Sequence, residues 1–194
     1  MRKIVSFMHV SLDGFVASTD EGMASLGWIS LSDDLFAYVD QRIQQTDTAL
    51  YGRVTYQMME SYWPTATEQP NASTHDQAHS RWYKTARKIV LSKTLLEKNN
   101  PDTKIISSHL SDEISKLKHS AGSDILVFGS PGATHSLMAE NLIDEYWLFI
   151  NPILLGQGVP LFKNIKDRTA LTLMKSKIFA SGVACLHYEV NRHK

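Results

Sequence analysis

A single cysteine, Cys185, stands among 194 residues, so no intramolecular disulfide can form and a fold of stapled loops is excluded. Within Val183-Ala184-Cys185-Leu186-His187-Tyr188-Glu189-Val190 it reads as a small buried hydrophobe rather than a nucleophile. Without a disulfide framework, a cytoplasmic setting is the default expectation. Long hydrophobic runs are missing as well. Nothing approaches the roughly 18 consecutive apolar residues of a membrane span. The opening segment carries Arg2 and Lys3 before an apolar run, but His9 and Ser11 interrupt it, and it reads as a first strand and not a leader. An excess of charge is also lacking. Twenty basic residues balance twenty acidic ones, which leaves no electrostatic footprint for nucleic acid or an anionic membrane. A small molecule is the expected partner.

What the chain does contain is alternation. Short apolar or β-branched runs at 4–10, 48–51, 88–91, 104–106, 125–128 and 146–150 predict strands. Helical patterns separate several of them, which argues an α/β fold. Residues 33–43 place Leu35, Phe36, Val39 and Ile43 on one side of a helix, with Ser32 as N-cap and Asp33 and Asp34 in the first turn. Further helices are predicted over 55–62 and 111–118. After Pro152 the pattern changes: 171–179 and 183–190 flank Ala180-Ser181-Gly182 and read as a hairpin, so the sheet is expected to be mixed. The polar stretch 65–76 predicts a long mobile loop or a weakly ordered connection. One domain is expected from the length.

Three strand ends lead into turns with ligand chemistry. In Asp124-Ile125-Leu126-Val127-Phe128-Gly129-Ser130-Pro131-Gly132-Ala133-Thr134 a strand gives way to a small-residue turn and a helix start. It is either an ordinary turn or a phosphate cradle at a helix N-terminus, with Pro131 removing one amide donor. Ala49-Leu50-Tyr51-Gly52-Arg53-Val54-Thr55-Tyr56 repeats the arrangement and adds the Arg53 guanidinium. Ile89-Val90-Leu91-Ser92-Lys93-Thr94 delivers two hydroxyls and an ammonium. In open α/β sheets ligands gather beyond the carboxyl ends of strands, so the three turns are candidates for one nucleotide site.

The order of these motifs resembles the dihydrofolate-reductase-like fold, and within it the C-terminal reductase domain of bifunctional riboflavin biosynthesis proteins. The resemblance is carried by Ser11-Leu12-Asp13-Gly14-Phe15, the Gly52 and Ser92 turns, the Gly129 loop, Leu142-Ile143-Asp144-Glu145, and Pro152-Ile153-Leu154-Leu155-Gly156-Gln157-Gly158 with Leu161-Phe162. It implies a three-layer α/β fold, with a mostly parallel mixed sheet, helices on both faces and a C-terminal β-hairpin. It also implies a homodimer and an NADPH-dependent reductase acting on a pteridine or pyrimidine heterocycle. By this resemblance Gly52, Arg53 and Thr55 meet the phosphates, with Arg53 near the 2′-phosphate, and Ser92 and Lys93 lie at the adenosine end. Gly129, Ser130, Pro131, Gly132, Ala133 and Thr134 line the pyrophosphate, although Ser130-Pro131 replaces the family's glycine run.

A carboxylate near the start of the first helix anchors the substrate in dihydrofolate reductases, and Asp33 and Asp34 after Trp28 hold the similar positions here. His9, Asp13 and Trp28 are the candidate substrate-binding residues, with Gly14 beside the cofactor. Asp13-Gly14 is also a turn signal in its own right. The alternative from another class is a non-catalytic nucleotide-binding or assembly module that retains the fold. One cysteine cannot supply the His/Cys/Cys zinc site of an attached deaminase. Among eight histidines, only His75 and His79 have helical i, i+4 spacing, and no acid follows them in a metalloprotease pattern, so no metal is expected. His187 and His193 need no special role, and Asp144-Glu145 reads as a cap or turn.

Overall fold

The computed structural model describes residues 1–96, 100–165 and 167–192, and an eight-stranded sheet forms its middle layer. Strands β1 (Ile4–Ser11), β3 (Thr48–Gly52), β4 (Arg87–Leu91), β5 (Thr103–Ile106), β6 (Ile125–Phe128) and β7 (Glu145–Asn151) lie parallel in the order β5-β4-β3-β6-β1-β7. Strand β10 (Ala184–Val190) pairs antiparallel with β7, and β9 (Leu171–Ile178) closes the edge against β10. Strands covered on both faces read as continuous apolar runs, and Ile125, Leu126, Val127 and Phe128 are all buried.

Side-chain alternation divides the core in two. Val5, Phe7, Leu126, Phe128, Phe149 and Cys185 pack with α1 (Asp33–Gln44), α2 (Arg53–Tyr62) and α3 (Thr74–Thr85). Ile4, Met8, Val10, Val127 and Leu148 pack with α4 (Leu110–His119) and α5 (Pro131–Ala139) on the other face. Cys185 is therefore a core residue, and burial pushes its thiol up to about 12.

The stretch expected as a long loop over 65–76 is ordered instead. A 3-10 turn, Trp63–Glu68, leads into α3, whose first turn is fixed by a capping box. The Asp76 amide donates to Ser73 Oγ (3.1 Å), and the Ser73 amide donates to the Asp76 carboxylate (2.9 Å). Helix α3 escapes the apolar-period test because its buried face is His79, Ser80, Trp82 and Tyr83. The expected Ser32 cap also differs: its hydroxyl bonds to the Asp34 carboxylate and makes no capping bond to the α1 backbone.

At the amino ends of the strands, buried Arg2 bonds Asp47, Thr48 and the Ser123 carbonyl. Asp144 accepts from the Ile4 amide and pairs with Lys118 and Arg192, while Glu145 pairs with Lys3 and His187. These acids tie strands together far from the carboxyl edge. His193 lies outside the described residues.

Candidate active site

At the carboxyl edge the Gly52 and Gly129 turns meet. The Gly52 amide donates to Ser130 Oγ at 3.0 Å, across 78 residues of sequence. A Cβ built on Gly129 would lie 3.9 Å from Thr55 Cγ2, so Thr55 faces that loop. Ser130 holds a left-handed conformation (φ 54°, ψ 63°) directly after Gly129 (φ 51°). Left-handed backbone costs a non-glycine residue on the order of 1 kcal/mol or more. That strain aims the Ser130 hydroxyl at the neighbouring turn.

Two helix N-termini are thereby set side by side, α2 behind Gly52 and α5 behind Ser130. Neither has an acid in its first turn nor a side-chain cap, so their first-turn amides and positive dipole ends remain unneutralised. In the Gly129 loop the donors sort plainly. The Gly129 amide is spent on the Phe7 carbonyl and the Thr134 amide on Ser130 O, and Pro131 has none. Among the described residues the amides of Ser130, Gly132 and Ala133 have no partner, and beside Gly132 there is open space. The Ala133 and Thr134 side chains are buried, and Thr134 Oγ1 has no partner among the described residues. Arg53 is exposed and bonds only Gln57, at 3.1 Å, among the described residues.

The third turn stands one strand further out, because Gly52 pairs in register with Leu91. Ser92 is turned inward on its own loop: its hydroxyl accepts the Thr94 and Leu95 amides, and Lys93 is exposed beside it.

A second group of predicted residues gathers where β1 and β7 end on the α1 face. His9 stacks on Phe149 with ring centroids 5.0 Å apart, and its Nδ1 lies 3.2 Å from Asn151 Nδ2. Asn151 was not foreseen, since an asparagine before a proline reads as a turn signal. It is fully buried and serves as a hub. Its Oδ1 accepts the Ser30 amide at 2.9 Å, and its Nδ2 donates to the Phe149 carbonyl at 2.9 Å. Because a backbone amide can only donate, the carboxamide orientation is settled, and Nδ2 donates to His9 Nδ1. His9 therefore carries its proton on Nε2. Burial pushes the imidazole down to about 4, so it is neutral at neutral pH.

The loop that carries Ser30 also carries Trp28, whose indole nitrogen donates to Ser25 O at 2.8 Å. Asp34 accepts the Ser32 hydroxyl and the Ala180 amide, which hold its carboxyl below the usual range and pin α1 to the turn between β9 and β10. Asp33 is exposed and makes no hydrogen bond among the described residues. Asp13 bonds the Ser11 hydroxyl and the Gly156 and Leu155 amides, and these bonds lower its carboxyl too. Gly14 (φ 91°) completes that turn, which leads into a small sheet of β2 (Phe15–Ala17) and β8 (Val159–Pro160).

A protein-family model described as the RibD C-terminal domain matches residues 2–185. The chain belongs to the RibD C-terminal domain family. Two curated proteins of Bacillus subtilis strain 168 share its length. YyaP, described as uncharacterized, is 31% identical over 192 residues, covering 98% of this chain and 96% of its own. YwjB, likewise uncharacterized, is 27% identical over 191 residues, covering 96% and 97%. Among solved structures, a putative riboflavin biosynthesis protein from Shewanella sp. PV-4 matches 98% of this chain and 99% of its own, with a TM-score of 0.72 and 21% identity. A diaminohydroxyphosphoribosylaminopyrimidine deaminase/5-amino-6-(5-phosphoribosylamino)uracil reductase from Thermotoga maritima matches 98% of this chain over 57% of its own, with a TM-score of 0.66 and 13% identity. These likenesses establish the RibD C-terminal fold, with its mostly parallel sheet flanked by helices.

Proposed function

We propose that this RibD C-terminal domain protein is an NADPH-dependent reductase that reduces a heterocycle of the pteridine or pyrimidine class. The observation that carries the reading is the pair of acid-free helix N-termini joined by the Gly52–Ser130 hydrogen bond, with Arg53 on the rim. Clustered amides suit a pyrophosphate, and a guanidinium suits a 2′-phosphate. Gly52, Arg53 and Thr55 would meet the phosphates with the free amides of Ser130, Gly132 and Ala133, and Lys93 would flank the adenosine end. When bound, the nicotinamide supplies the hydride. The reductase activity in the name of the Thermotoga protein and the family itself support the same class of chemistry.

The chain's own part is to bind and orient a substrate ring. His9 offers Nε2–H as a hydrogen-bond donor to a ring nitrogen or carbonyl. Of the two acids, Asp33 keeps its carboxylate free for a substrate amine, whereas that of Asp34 is committed. Loss of NADPH absorbance with dihydrofolate and with a ribosylaminopyrimidine tests the proposal. Substrate-dependent oxidation is expected, and absence of NADPH binding by calorimetry would defeat it. A nucleotide-binding module without catalysis is the second reading. It is favoured by a neutral His9 and a tied Asp34, neither of which is an acid that titrates near pH 7. Binding of NADPH with no oxidation across the panel selects it.

We also propose that two copies associate through β9. All eight of its residues are exposed, Leu173, Met174 and Ile178 among them, and β9 pairs only with β10 among the described residues. An apolar edge strand of that length calls for a partner edge.

A further inference from the structure

Helical spacing singles out His75 and His79, and since the Asp76 carboxylate between them is committed to the Ser73 cap, the fold brings an acid from another helix. Asp40, from the second half of α1, reaches His75 Nδ1 at 2.8 Å. One ligand atom from each of Asp40, His75 and His79 lies within 4.8 Å of the others. The two rings are fixed by aromatic stacking, His75 on Phe36 (centroids 4.2 Å apart) and His79 on Trp63 (3.8 Å). Stacking covers the faces of an imidazole and leaves its edge nitrogens to find other partners.

His79 has found none. It is only 6% exposed, and neither ring nitrogen has a hydrogen-bond partner among the described residues. A buried orphan polar group costs about 1–3 kcal/mol, and a bound ion is one of its ordinary explanations. The other two members are nearly as enclosed, each with a side chain 14% exposed.

We propose that Asp40, His75 and His79 form a divalent transition-metal site, with Zn²⁺ as the fitting ion, that clamps α1 to α3. Two imidazoles and a carboxylate are a borderline nitrogen and oxygen set, which suits Zn²⁺ better than Mg²⁺ or Ca²⁺. Histidines one helical turn apart present both rings to one ion. Three protein ligands leave a fourth position for water. The clamp would join the helix that begins at Asp33 and Asp34 to the helix that supports the Trp63 segment. It is distinct from the nucleotide cradle and needs no part of it.

The test uses the full chain, stripped with chelator and titrated with Zn²⁺ and with Co²⁺ as a spectroscopic probe. One tight equivalent per chain and a raised Tm are expected. Asp40→Asn and His75→Gln each lower the affinity about tenfold or more, while His119→Gln, exposed at the end of α4, leaves it unchanged. X-ray absorption of the zinc-loaded wild type reads the ligand shell without any substitution, and two imidazoles are expected in it. A shell with fewer than two imidazoles, no binding by the wild type, or full affinity in both variants would overturn the site.

Discussion

Because the Ser30 amide orients Asn151, and Asn151 in turn orients His9, the imidazole stands beside Phe149 as a neutral Nε2–H donor. Its burial has a consequence for stability. The unfolded chain takes up a proton on His9 near pH 6.5, whereas the folded chain resists it to about 4. Stability is thus complete above the upper value and is lost as pH falls through that window, by about 2 kcal/mol between pH 7 and pH 5. Buried His79, pushed down to about 3, adds a loss of the same sign, so urea unfolding at the two pH values should show both, and His9→Gln is expected to remove about 2 kcal/mol of the difference. Ser130 carries a second residue-scale prediction. Ser130→Ala unties the two turns, so it should cost about 1 kcal/mol in urea unfolding and weaken NADPH in calorimetry. Unchanged cofactor affinity would show that the bond is idle. The Gly52 and Gly129 turns were legible as turns because a glycine at a strand end is a local signal. Asn151 was not, because its role depends on β1 and on Ser30, far away in the chain.

At the scale of elements, the buried parallel strands were readable as short apolar runs, since both of their faces are covered. Helix α3 was hidden because half of its buried face is polar, and β2 and β8 are too short to show any period. The signal that marks α3 is its capping box. Ser73→Ala should lower thermal stability by about 1 kcal/mol, and an unchanged Tm would show the cap to be idle. The three turns divide along the same line. Two of them meet through Gly52 and Ser130, and their encounter follows from β3 and β6 being neighbours, a strand order that no local pattern contains. The third, at Ser92, forms a self-contained turn beside them.

For the whole molecule, the alternation of strands and helices gave the fold class, and the family match agrees with it. No helix among the described residues is long and apolar enough to cross a membrane. Light scattering at micromolar concentration should return the mass of two chains, and a monomer would contradict pairing through β9. In the proposed function the Gly52 and Gly129 turns form one dinucleotide cradle with Arg53 at the 2′-phosphate. The most direct measurement is calorimetric affinity for NADPH and NADH in the wild type and in Arg53→Ala. The substitution is expected to weaken NADPH by about 1–3 kcal/mol and to leave NADH nearly unchanged. Equal weakening of both cofactors, or a wild type that binds neither, would contradict it.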